Sequence, residues 1–227
     1  MGARAAHPRS RRRARAPGDD HETRRRLVEV ASELFADQGF DGVTVREICR
    51  AAQANLTAVN YHFGDKLGLY AEVVQAAIDA MRQTAAAAMQ SEGPAEERLR
   101  TYIRVHLERI LGKGQGSWIH RPMNRELEAP TPELDRVVDQ GIRPRVAYLS
   151  GLVAELMGCP VTDPRVGRSV ASIQGQFLIY ARNPILSRLV PRWRPTPAAL
   201  AELADHISEF SLAGVRGLAA RQGAGER

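Results

Sequence analysis

The sequence predicts an all-α protein of two domains, a small N-terminal unit of three helices followed by a larger C-terminal helical body. Three observations predict it. Apolar residues recur three and four apart in the segments between Thr23 and Val215, the spacing that lines one face of a helix. The breaks between segments carry helix punctuation: Thr44, Asn55, Asp65, Thr131 and Thr196 as caps, Pro132, Pro164 and Pro197 at first positions, Gly39 and Gly158 as stops. Two segments, on either side of Gln53 and Ala54, are short and joined by a tight turn.

Residues 1–21 form a basic arm. Nine arginines and three carboxylates within residues 1–26 account for the whole formal charge of +6. No apolar stretch follows the arginines, so a secretory or twin-arginine signal is not expected. The arm is either a clamp on phosphates or a solvated tail, disordered in either case without DNA. With 44% apolar and 26% charged residues and no membrane-length apolar run, the body is expected to be soluble and cytoplasmic. Cys49 and Cys159 make neither a disulfide framework nor a zinc spacing, so no metal and no cofactor are expected.

Within residues 22–66, the first helix, Thr23 to Gln38, turns Leu27, Val30, Ala31, Leu34 and Phe35 to one side and stops at Gly39, while Phe40 and Val43 close the gap. Thr44 caps a second helix with Val45, Ile48, Cys49 and Ala52 inward. Asn55 caps a third, expected to bury Leu56 and Val59 and to leave Thr57, Ala58, Asn60 and Tyr61 outward. This is a helix-turn-helix, whose second helix lies in the major groove. The outward residue types suit contact with DNA. Asn pairs bidentately with adenine, a Thr methyl meets a thymine methyl, and Tyr or Lys reaches phosphate. Base contacts are therefore expected from Asn55, Thr57, Ala58 and Asn60, and phosphate contacts from Thr44, Arg46, Tyr61, His62 and Lys66.

Residues 67–220 form the second domain. A long helix beginning at Lys66 carries Leu67, Leu69, Tyr70, Val73, Val74, Ala77, Ile78 and Met81, and is broken at Ser91, Gly93 and Pro94. A helix from Ala95 to Leu111 follows, with His106 as the polar exception on its stripe, either a satisfied core histidine or part of a pocket. Residues 112–116 are a flexible connection, and Trp118 to Glu128 reads as a short helix. The helix opened by Thr131 and Pro132 runs to Gly158 and is expected to kink at Pro144. Tyr102, His106, Trp118, His120, Met123, Glu126 and Tyr148 mix polar groups into buried stripes and are the candidates for a small-molecule pocket. His120 and Glu126, six residues apart, share no helix face closely enough for a metal.

Asp163 and Pro164 open the next helix, and Thr196 and Pro197 the last. Their apolar stripes exceed what one small body must bury. Ile173, Gln174, Gly175, Phe177, Leu178, Leu203, Ile207 and Phe210 are expected to form a four-helix bundle with the same pair from a second chain, against the simpler outcome of packing within one chain. Residues 221–227 read as a loose tail.

Thr44, Ile48, Cys49, Ala52, Gln53, Ala54, Tyr61, His62, Phe63 and Lys66 together resemble the DNA-binding domain of the TetR family of bacterial repressors. The chain departs from that pattern at Gln53, which stands where the family usually has Gly, at a cost of roughly 1 kcal/mol if the turn is left-handed. The run HRPMNRELEAPTPELD at 120–135 and SIQGQFLIY at 172–180 resemble the C-terminal domain of the CerR-type subgroup. The resemblance implies a homodimeric regulator in which the helix starting at Lys66 couples a small-molecule effector to a palindromic operator, with repression as the default. That helix could equally be a plain spacer. Two rivals stand beside this reading: a nonspecific DNA-binding protein using the arm alone, and a helical-bundle enzyme, which would leave residues 44–66 unexplained and lacks a nucleophile beside a base.

Overall fold

The computed structural model describes residues 17–111, 130–180, 188–189 and 194–225. Among them there is no strand. Helix α1, Pro17–Gly42, begins upstream of the expected Thr23, so residues 17–21 continue the helix and the arm is shorter than 1–21. Gly39, at φ 78° and ψ 172°, breaks its helical path, as its place in the sequence predicts. Helix α2 is Val45–Ala51, α3 Leu56–Phe63 and α4 Lys66–Met89. Between α2 and α3 the chain turns through Gln53 at φ 50°, the left-handed position that the sequence fills with a non-glycine residue.

Helix α4 starts under tight constraint. The Gly68 N–H donates to Asp65 Oδ1 at 2.8 Å, and a methyl group at Gly68 would overlap the Phe63 carbonyl oxygen. Gly68→Ala is therefore expected to destabilise the protein by about 1–3 kcal/mol, against helix propensity, because backbone must shift to admit it. A thermal melt checks this; an unchanged or raised Tm would refute the contact.

Helix α5 is Ala95–Leu111. Helix α6 is continuous but uneven: Leu134–Arg136, a π-helical stretch Val137–Ile142, then Arg143–Met157. The interruption expected at Pro144 takes this form. The Arg143 N–H reaches the Val138 carbonyl, five residues back. Pro144 has no N–H to offer the Gln140 carbonyl, which instead accepts from Arg82 Nε of α4 at 3.3 Å. Helix α7 is Pro164–Tyr180 and α8 is Pro197–Gly225, so the segment expected as a loose tail from 221 is helical to Gly225.

Two apolar cores result. The first joins Leu27, Phe35, Ile48 and Val59 of α1–α3 to Leu69 through Met81 of α4 and to Val137 of α6. The second joins α5, the later part of α6, α7 and α8 around Leu99, Ile103, Leu149, Val153 and Phe177, with Ala88 as the contribution of α4. Ion pairs brace its surface: Arg98 with Glu155, Arg216 with Glu96, and Arg100 with Glu209 at 2.5 Å. Helix α4 thus belongs to both cores.

Candidate nucleic-acid interface and cavity

Helix α3 divides into two faces. Ala58, Val59, His62 and Phe63, at helical spacing, lie against the body, while Leu56, Thr57, Asn60 and Tyr61 are exposed, Tyr61 at 74%. This corrects three expectations. Leu56 is outward, not inward. Ala58 is buried and offers no surface to a base. His62 is tucked beneath the helix, its Nε2 3.3 Å from Asp20 Oδ1 of α1, and its side chain is largely withdrawn from the surface where a phosphate contact was expected.

The remaining candidates reach the surface, but several are already engaged. Thr44 and Glu47 form a reciprocal cap: Thr44 Oγ1 accepts the Glu47 N–H, and both the Thr44 N–H and its hydroxyl donate to Glu47 Oε2 at 2.8 Å. Those bonds, the backbone one foremost, hold the Glu47 carboxyl below its ordinary value. Thr44, expected to meet phosphate, thus points both its donors at a carboxylate. Asn55 Oδ1 accepts the Thr57 N–H at 3.0 Å, which caps α3 and leaves only the amide nitrogen free to read a base. The Thr57 hydroxyl donates to the same oxygen at 3.2 Å, so what Thr57 offers a base is its methyl. Asn60 and Arg46 are exposed and take no part in these caps. Arg50, not singled out in the sequence, is exposed on α2 one turn on from Arg46. Lys66, half-buried, holds its Nζ 4.3 Å from the centre of the Phe40 ring, a cation–π contact that fixes the ammonium at the N-terminus of α4. Arg24 has a structural role, paired with Glu72 at 2.6 Å and lying over Phe63.

At the other end of α4, where the two cores meet, Met81, Ala85 and Ala88 of α4, Tyr102, Val105 and His106 of α5, and Arg145 of α6 surround a cavity of about 10 Å³, room for about one water. Of the seven pocket candidates, Tyr102 and His106 line it. Their rings stack at 5.5 Å with 9° between planes, and His106 lies 4.8 Å from Phe177. Tyr148 stands beside them, its hydroxyl donating to the Ala88 carbonyl at 3.2 Å. Trp118, His120, Met123 and Glu126 fall outside the described residues. Gln174 Nε2 donates to Tyr102 Oη at 3.1 Å, and burial pushes the Tyr102 phenol up to about 12, so it keeps its proton. Sequence reasoning passed over Arg145. Its signal was present, because Arg145, Tyr148, Leu149 and Leu152 fall at i, i+3, i+4 and i+7, a cation on a buried stripe.

The expected dimer face also needs correction. Ile173, Phe177, Leu203 and Ile207 are buried within the protomer, and Gln174 is turned to Tyr102. Gly175, Leu178 and Phe210 remain exposed, the last two at 58% and 65%. Among the described residues no group of three or more metal-binding side chains occurs, and no helix is long and apolar enough to cross a membrane.

Residues 27–73 match the sequence profile of bacterial regulatory proteins of the tetR family, and residues 95–215 that of the C-terminal domain of the HTH-type transcriptional dual regulator CecR. CecR of Shigella flexneri is 25% identical over 175 residues, spanning 70% of this chain and 75% of that protein. In fold, AibR in complex with isovaleryl coenzyme A and operator DNA superposes with a TM-score of 0.65 at 20% identity, over 83% of this chain and 97% of that one. The ketosteroid regulator KstR2 of Mycobacterium tuberculosis gives 0.62 at 19%, over 84% and 93%. The subgroup is properly CecR-type, not CerR-type. These relatives are regulators, and the enzyme reading falls with them. Two profiles that meet the reading helix at one end and the cavity at the other leave a single conclusion: the chain belongs to the TetR family of transcriptional regulators, with a C-terminal domain of the CecR type.

Proposed function

We propose that the chain is a ligand-responsive regulator, in the default sense a repressor, that holds a roughly palindromic operator as a homodimer and releases it when a small molecule enters the cavity. One observation carries the reading: α4 begins at the reading unit with Lys66 and passes the cavity at Met81, Ala85 and Ala88. From Lys66 to Met81 is fifteen residues of helix, about 22 Å. A ligand that parts Met81 from Tyr102 and Arg145 tilts this rod, and its far end carries α3 with it. The coupling required is about 1–3 kcal/mol, within what one displaced side-chain cluster supplies. Leu178 and Phe210 supply an apolar patch for a second copy, whose two reading heads would span half-sites one helical turn, or a multiple of it, apart.

The direct test is a titration of the protein against the DNA flanking its own gene, with random DNA of equal length as control, at physiological salt. Selective binding to a palindrome is expected. Equal, weak and salt-sensitive binding to both would leave only the basic arm as the DNA contact. Lys66→Ala refines the test. It removes one phosphate contact, so affinity should fall for all sequences alike and the slope of log affinity against log salt should flatten by about one. An unchanged slope would take Lys66 off the phosphate.

A further inference from the structure

The cavity holds a feature that the apolar wall does not explain. Arg145 lines it, its Nε is buried without a hydrogen-bond partner, and no carboxylate among the described residues pairs with it. The one group in electrostatic contact with it, besides the burial that lowers its pKa, is Tyr102, which is neutral at ordinary pH. Arginine does not escape by losing its proton. A cation half-buried without an acid partner is costly, and the neighbouring residues compensate for it poorly. Other arginines of the same domain do find acids: Arg98 has Glu155, Arg143 has Asp139, Arg165 has Asp163 and Arg216 has Glu96. Arg145 instead faces the cavity.

Resting on the regulator reading above, we infer that the effector is an organic monoanion, a carboxylate with a small apolar body, whose charged end is taken by Arg145 and whose body displaces Met81 from the cavity wall. Tyr102 strengthens the case. Its oxygen already accepts from Gln174, so its own proton is left to donate, and a carboxylate accepts from both Tyr102 and the guanidinium. Apart from His106, whose ring stacks on Tyr102, the rest of the lining is apolar: Ala85, Ala88, Val105 and the Met81 thioether. Arg145 is the single cation of the lining and matches a single negative charge, whereas a phosphate monoester carries about −1.5 to −2 at neutral pH and would be left undercompensated. Met81 is unbranched, so it can swing aside to enlarge a space that now admits about one water. Ligand entry thus joins the two requirements of a switch: it neutralises a charge and displaces a side chain of α4, the helix that belongs to both cores.

The test uses the full chain, with benzoate and octanoate as probes, and benzamide and octan-1-ol as their uncharged counterparts. Melting temperature is followed against probe concentration for the wild type, Arg145→Gln and Arg145→Met. A carboxylate should raise the wild-type Tm in a saturable way, its uncharged counterpart should not, and either substitution should weaken the apparent affinity about tenfold to a hundredfold. The probe-free Arg145→Met protein should melt at or above the wild type, since it no longer buries an uncompensated charge. Carboxylates that fail to shift Tm at millimolar concentration, a shift that survives Arg145→Gln, or a probe-free Arg145→Met protein that melts well below the wild type would each overturn the assignment. Operator titration of the same wild-type preparation separates the two readings. Selective DNA binding without a carboxylate response removes the anion alone, and loss of selectivity removes the regulator.

Discussion

Replacing Phe35 by alanine lowers the stability of the protein by about 3–5 kcal/mol, a fifth or more of the roughly 5–15 kcal/mol that a domain typically has. Phe35 is 1% exposed. It meets Tyr70 of α4 edge-on at 5.1 Å and stacks on Phe40 at 6.0 Å, and Phe40 in turn lies 5.0 Å from Tyr70. The three rings form the joint between α1 and α4, with Lys66 resting on the outer face of Phe40. Helices fix the positions of all three, so the cavity left by alanine cannot close without moving α1. The loss therefore exceeds the transfer of one ring to water and includes the cavity itself. Urea denaturation followed by circular dichroism measures it. A loss below about 1 kcal/mol would mean that the joint is plastic.

Asn60→Ala has the next largest effect, and on specificity, not stability. Asn60 is exposed in the middle of the outward face of α3, and it neither caps a helix nor braces a neighbour. A bidentate amide contact to adenine is worth about 1–3 kcal/mol of discrimination. The variant should fold as the wild type and lose about five- to a hundredfold in preference for the operator over one carrying a changed base pair at a single position. Competition binding with single-position operator variants locates that position. If affinity fell equally for every variant, Asn60 would be acting on the backbone, and base reading would shift to Thr57, Leu56 or Tyr61.

The termini of the helices were legible because they depend on local chemistry. Thr44, Asn55 and Asp65 cap in the structure as their side chains dictate, and Gly39 and Gly158 stop their helices. Faces were harder to read where helices are short. Helix α3 spans eight residues, and its pattern admits two rotations, one burying Leu56 and one burying Ala58. Hydrophobicity favours leucine, but the packed structure buries Ala58 beside Val59 in the first core and turns Leu56 out. Small side chains let helices approach closely, and a residue-by-residue scale does not see that. The stripes of α7 and α8 were ambiguous for another reason. Ile173, Phe177, Leu203 and Ile207 were rightly read as buried, but burial within one chain and burial between two leave the same periodicity. Pro144 announced an irregularity, yet its π-helical form depends on Arg82 reaching across from α4, a partner 58 residues away. Arg145 was written plainly enough; a cation on an apolar stripe is a question that the sequence asks and only the cavity answers.

That cavity is nearly shut, which bears on how sensitive such a sensor can be. If the form able to admit a ligand makes up only a fraction of molecules at rest, the apparent affinity is the intrinsic one divided down by that fraction, so an open population of about one in a hundred weakens it a hundredfold. On the proposed reading, the resting position of Met81 in the cavity wall would set the concentration at which the cell hears the signal, independently of how well the signal molecule is gripped once inside. Relatives could retune their threshold by trimming or lengthening one side chain at this seam while every contact to the ligand stays as it was.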